Sequence, residues 1–150
     1  MGTRNLTVVI KDGTHKVAQY GQWDGYPSGQ GLTCLKFLQG MDKQTLMQQL
    51  DAKVSWATPE DIAKKHSYNS RDVAAEILQL IYDAESDIKL VDNVEFGEDR
   101  LFCEYTYVVD LDKDIFEVYG SGDSLKVYSL DALPTEEEFL EELEGENDDE

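Results

Sequence analysis

Side chains that commonly carry out proton transfer or covalent catalysis are scarce in this chain. His15 and His66 are the only imidazoles among 150 residues. His15 falls in a predicted hairpin turn, and His66 follows Lys64 and Lys65 in a segment expected to face solvent. Partners in a catalytic pair need not be sequence neighbours, but nothing places either histidine beside a Ser, Cys or Thr nucleophile, so both are read as structural or surface residues. Thr3 as an N-terminal nucleophile is blocked by Gly2, which removal of Met1 alone leaves in place. Asp110-Leu111-Asp112-Lys113-Asp114 alternates acids like a calcium loop. Ile115, however, stands where such a loop needs glycine, and Ser121 where it needs a bidentate glutamate. The stretch predicts a hairpin turn with solvated acids. The chain is therefore expected to be non-enzymatic, with no metal and no cofactor.

The most unusual stretch runs from Val17 to Gly31. Gly21, Gly25, Gly29 and Gly31 fall within eleven positions, interleaved with Trp23, Asp24, Tyr26 and Gln30. Such spacing predicts a backbone that takes unusual φ values or approaches something closely. Gly29-Gln30-Gly31 opens a predicted helix, where free N–H groups can hold a phosphate or carboxylate. It matches neither a dinucleotide fingerprint nor a Walker loop, and Asp24 opposes an anion. The competing reading is structural: the glycines fix a strand-to-helix turn while Trp23 and Tyr26 cover the core edge. A base-stacking platform of Tyr20, Trp23 and Tyr26 would call for a basic groove, which this composition does not provide.

Charge is the strongest compositional signal. The chain carries 32 acidic against 13 basic residues, a net −19. Ten of those acids lie from Glu136 to Glu150, where no base occurs, leaving 22 acids against 13 bases, or −9, on residues 1–135. A body so charged repels nucleic acid and is steered towards basic surfaces. The hydrophobic fraction of 41% is that of a globular protein. No apolar run approaches the roughly 18 residues of a membrane span, and the start lacks a signal-peptide core. Leu6 stands where a myristoylation motif needs Ser or Thr. Cys34 and Cys103 sit in apolar contexts and are expected to be reduced core residues, which makes the cytoplasm the predicted location.

The elements that must position these residues follow from periodicity. Residues 5–11 are rich in β-branched side chains, Asp12-Gly13 is a hairpin turn, and 16–20 return. A helix with Leu32, Leu35 and Leu38 on one side ends at Gly40, and Asp42 caps a second through Leu50. Thr58-Pro59 starts a short helix, and Ser70 caps the longest, 71–84, with an apolar stripe from Val73 to Ile81. From Ile88 the period becomes two: strands at 88–91, 101–111, 115–119 and 125–128. A last helix opens at a Thr135/Glu138 capping box. This order predicts an α+β fold, a mainly antiparallel sheet of about five strands covered by helices. It forms a single domain over 1–145, with a disordered acidic tail at 146–150.

The pattern Thr3-Arg4-Asn5-Leu6, then Tyr20-Gly21-Gln22-Trp23-Asp24-Gly25-Tyr26-Pro27-Ser28-Gly29-Gln30-Gly31, resembles a functionally uncharacterised family of bacteria, their phages and fungi. Tyr105 to Asp114, Phe116-Glu117-Val118-Tyr119 and Leu133-Pro134 resemble the same group. The resemblance implies no catalytic residues. By a further analogy, small and very acidic members resemble phage-encoded antagonists of bacterial defence, including anti-CRISPR proteins that occupy nucleic-acid channels.

Two classes of function follow. In the first, the chain is a phage or prophage inhibitor whose acids engage a basic host protein, such as a defence nuclease, in the bacterial cytoplasm. The candidate contacts are Asp83, Glu85 and Asp87 after the long helix, Glu95, Glu98 and Asp99 in the next loop, and Asp110, Asp112 and Asp114 at the hairpin. No direct nucleic-acid binding and no membrane contact are expected; the oligomeric state stays open. In the second, Trp23, Asp24, Tyr26, Gly29, Gln30 and Gly31 hold a nucleotide or other small anion, for binding or hydrolysis.

Overall fold

A computed structural model describes residues 3–64, 73–93, 104–120 and 123–143. Strand β1 (Asn5–Lys11) and β2 (Thr14–Gly21) form the expected hairpin. Asp12 and Gly13 take left-handed φ values of 57° and 76°, the geometry that matches the twist of two antiparallel strands. After a wide turn at Pro27–Gly31 come α1 (Leu32–Gly40) and α2 (Lys43–Lys53). The short strand β3 (Val54–Trp56) and helix α3 (Pro59–Ala63) follow. The next described elements are a 3-10 turn at Ala74–Glu76, α4 (Ile77–Tyr82) and β4 (Ile88–Leu90). Strands β5 (Tyr105–Asp110), β6 (Ile115–Gly120) and β7 (Asp123–Ser129) and helix α5 (Glu136–Leu143) complete the chain.

The fold is α+β. The main sheet has the order β2-β1-β5-β6-β7, antiparallel except where β1 and β5 run parallel. Its helix-covered face carries Val9, Val17, Tyr107, Val109, Phe116, Val118 and Tyr128, packed with the buried sides of α1, α2, α4 and α5. The opposite face holds a smaller cluster of Leu6, Val8 and Ala18. β1 is therefore buried on both faces. β3 and β4 make a separate parallel pair. No helix among the described residues is long and apolar enough to cross a membrane.

Local chemistry sets the helix starts. Asp42 accepts from the Thr45 N–H, and Thr58 and Asp61 form a reciprocal capping box. Thr135 and Glu138 form the other: Glu138 Oε1 accepts from the Thr135 N–H, and Thr135 Oγ1 from the Glu138 N–H. The expected helix over 71–84 is shorter. Its stripe is buried at Ala74, Ala75, Ile77, Leu78 and Ile81, but Ala74 has φ 45°, which no right-handed helix accommodates. The expected strand at 101–111 is described from Tyr105. His66, Cys103, Glu95, Glu98, Asp99 and the acidic tail at 146–150 lie outside the described residues.

Candidate functional site

The glycine-rich loop is built on Asn5. This side chain is fully buried at the start of β1, and its Nδ2 donates towards three carbonyls: Thr3 at 3.1 Å, Gly21 at 3.2 Å and Trp23 at 3.3 Å. Two amide hydrogens are thus shared among three acceptors that lie on both sides of the β2 exit. Asn5 Oδ1 is buried with no hydrogen-bond partner among the described residues. That cost of about 1–3 kcal/mol must be outweighed by the contacts the amide secures.

Four backbone N–H groups of the loop turn inward. Gly25 donates to Thr3 O at 3.0 Å, Gly29 to Tyr26 O at 2.8 Å, Gln30 to Asp24 O at 2.6 Å and Gly31 to Tyr26 O at 3.3 Å. The Tyr107 hydroxyl, in the buried core, donates to Gly25 O at 2.5 Å. Gln30 is equally committed: its Oε1 accepts from the Ala75 N–H at 3.0 Å, and its Nε2 reaches Trp23 O at 3.5 Å. The left-handed twist at Ala74 brings that N–H onto the loop.

The glycines act mainly through close approach. Neither Gly25 nor Gly29 has positive φ, so the unusual φ expected of this stretch does not fall on these glycines. A Cβ on Gly25 would lie 2.5 Å from Thr3 O, one on Gly29 2.2 Å from Asp24 O, and one on Gly21 2.4 Å from Ala74 Cβ. The left-handed residue is Asp24, with φ 56°. Trp23 and Tyr26 are 43% and 51% exposed, so the cover they give the core edge is at most partial. The Tyr26 ring meets Tyr105 edge-on at 6.0 Å, and Tyr105 stacks on Tyr107 at 6.2 Å.

The acids named from sequence separate into two groups. Asp83, Glu85 and Asp87 are exposed after α4; Asp83 accepts from Gln79 Nε2 at 2.8 Å. Of Asp110, Asp112 and Asp114 at the hairpin turn, Asp112 is exposed and Asp114 partly so, as expected of solvated acids, but Asp110 is not. Asp110 is 7% exposed, and its Oδ1 accepts from the N–H groups of Asp112 and Lys113, both at 3.1 Å. The Asp112 carboxylate accepts from Asp12 N–H at 2.8 Å and Gly13 N–H at 2.7 Å, tying one hairpin turn to the other. Those N–H groups, Gly13 first, hold the Asp112 carboxyl below its usual range. Asp114 pairs with Lys43. Beside them the buried Lys11 ammonium meets Asp12 at 2.7 Å and Asp51 at 3.0 Å. A backbone amide is a strong partner for a carboxylate, and acids so engaged offer less to a partner.

The acidic surface that sequence reasoning did not name is α5. Phe139 and Leu143 are buried, while Glu136, Glu137, Glu138, Glu141 and Glu142 are exposed. Glu136 lies 3.6 Å from Lys36, and Glu142 2.9 Å from Lys126. Lys126 and the Tyr128 hydroxyl hold the Glu142 carboxyl down. Glu137 and Glu141 have no ion-pair partner among the described residues. The signal is present in the sequence, since acids flanking Phe139, Leu140 and Leu143 make an amphipathic helix with one charged side, but a charge balance drawn over residues 1–135 leaves this helix out.

His15 meets Asp92 at 2.9 Å and the Trp56 ring at 5.4 Å, and Thr3 is buried beneath the loop. Burial pushes the Cys34 thiol up to about 12, with the Thr7 hydroxyl offsetting part of the effect. Among the described residues no group of three or more His, Cys, Asp or Glu is arranged to hold a metal ion. No family model, no curated protein and no solved structure matches this chain.

Proposed function

We propose that the protein is a non-catalytic binding protein whose exposed carboxylates engage a basic, nucleic-acid-binding surface of a partner. The observation that carries this reading is the outer side of α5, with Glu137 and Glu141 unpaired among the described residues. Glu85 and Asp87 add exposed carboxylates elsewhere on a chain of net −19. The specific form of the reading is a phage-encoded inhibitor that occupies the nucleic-acid channel of a bacterial defence nuclease in the host cytoplasm. The inward-turned N–H groups of the glycine-rich loop do not favour the small-anion alternative.

The test is capture from bacterial lysate on immobilised protein, elution with salt, and competition by duplex DNA for whatever is captured. Basic nucleic-acid-binding proteins should elute, DNA should displace them, and the protein alone should not retard DNA in a gel. Replacing Glu137 and Glu141 by Gln should weaken capture and flatten its salt dependence, because exposed pairs contribute about 0.2–1 kcal/mol each. Direct retardation of DNA, or capture indifferent to salt, refutes the reading.

A further inference from the structure

Trp23, Asp24 and Tyr26 stand out from the rest of the loop because each is exposed while the backbone carrying it is held on both sides. Trp23 O accepts from the buried Asn5 amide, Asp24 O from Gln30 N–H, and Gly25 is fixed through its N–H by Thr3 and through its carbonyl by Tyr107. Tyr26 rests edge-on against Tyr105. The loop thus presents two large aromatic side chains from a fixed backbone, the Tyr26 ring braced as well, and Trp and Tyr are effective interface anchors.

Asp24 identifies the chemistry of the partner group. Its carboxylate is exposed and has no ion pair among the described residues, and no Lys or Arg occurs from Val17 to Leu35. Its backbone is held at φ 56°, a conformation Asp tolerates and that Asp12 and Asp114 also adopt, and in sequence it stands between the two exposed aromatic residues. Aromatic faces attract cations, and a carboxylate accepts two parallel N–H donors from a guanidinium. An anionic ligand would be repelled by Asp24, and a neutral one would gain a hydrogen bond but no charge attraction.

We propose that Trp23, Asp24 and Tyr26 form a recognition site for an arginine side chain of the basic partner. This rests on the binding reading above but assigns selectivity to a different surface. The carboxylates of α5 attract any cation, whereas two rings and one carboxylate favour a planar guanidinium over a compact, strongly hydrated ammonium.

The experiment titrates nona-arginine and nona-lysine into the full chain carrying Trp56→Phe, which leaves Trp23 as the sole indole of the two in the sequence. Nona-arginine should quench Trp23 fluorescence and bind about three- to fivefold tighter than nona-lysine at about 150 mM salt. For the ring variants affinity is read by calorimetry. Trp23→Ala or Tyr26→Ala should lower nona-arginine affinity about three- to fivefold while nona-lysine changes less than about twofold. Asp24→Asn keeps a residue type that tolerates left-handed φ and should lower nona-arginine affinity about two- to fivefold. Equal affinity for the two peptides, or unchanged nona-arginine affinity in all three variants, overturns the site. If Glu137→Gln with Glu141→Gln still weakens both peptides in that case, the acidic-surface reading stands without it. Binding of neither peptide overturns both.

Discussion

Glycine to alanine changes at three positions separate close approach from backbone conformation as the reason for each glycine. At Gly29 an added Cβ would lie 2.2 Å from Asp24 O and 2.9 Å from Asp24 Cβ, though φ there is ordinary. A carbon tolerates a carbonyl oxygen at about 3.3 Å, so the loop must open by roughly 1 Å. That displacement strains the 2.6 Å bond from Gln30 N–H to the same oxygen. Overpacking costs about 1–3 kcal/mol and a lost hydrogen bond about 1 kcal/mol, together roughly 2–4 kcal/mol. For a chain of this length that lowers Tm by roughly 4–16 °C. Gly13 is the opposite case: nothing lies within 4 Å of its Cβ position, but φ is 76°. Alanine there should cost about 1–2 kcal/mol from conformation alone. Gly40 has neither constraint, so Gly40→Ala should be neutral or stabilising by up to about 1 kcal/mol. Calorimetry on the three variants gives the ranking. A Gly29→Ala protein that melts with Gly40→Ala refutes the close-approach argument.

Three further outcomes follow from the geometry. Asp112→Ala removes the acceptor for two turn N–H groups and should lower Tm, with faster amide exchange at Asp12 and Gly13; unchanged exchange there would show that the two turns are not coupled. In a Cys103→Ser background, Cys34 should resist a water-soluble thiol reagent at about pH 8 until denaturant is added, because its thiol is buried and pushed up to about 12; rapid native labelling contradicts this. Asp61 is lowered from 3.8 to about 2, first by the Thr58 N–H and then by Lys89. A depressed carboxyl stabilises the fold above its unfolded pKa and loses that contribution as pH falls through the folded one, so the parent's advantage over Asp61→Asn should shrink between about pH 4 and pH 2. A difference that does not vary with pH over that range rules it out.

Local signals in the sequence were legible because their physics is local. Asp12-Gly13 specifies its own turn, and Thr58 with Asp61 and Thr135 with Glu138 cap their helices within four residues. What was not legible depends on distant neighbours. The three residues of β3 carry no periodicity, and only pairing with β4 makes them a strand. Ala74 breaks a helical stripe because its neighbour's N–H is claimed by Gln30, 45 residues earlier. Asp112 reads as one more solvated acid until the Asp12-Gly13 turn, 99 and 100 residues away in sequence, is placed against it. The loop at 21–31 was recognisable as special from its glycines. Which residue takes the left-handed conformation was not, since that is Asp24 rather than a glycine.

The parallel pairing of β1 with β5 also sets the order of assembly. Asn5 is aligned with Tyr105 and Ile10 with Asp110, so the centre of the sheet closes only after about two thirds of the chain exists. During synthesis the first hairpin would leave the ribosome with one side of its most apolar strand unpaired, while β5, β6 and β7 could form a meander as soon as they are made. Pairings so distant in sequence fold slowly, and exposed strand edges invite association between chains. A large uniform charge opposes that association through mutual repulsion of nascent or partly folded copies. Acidity in this chain would then serve kinetic solubility during the interval before β1 is enclosed, independently of whatever the finished surface binds.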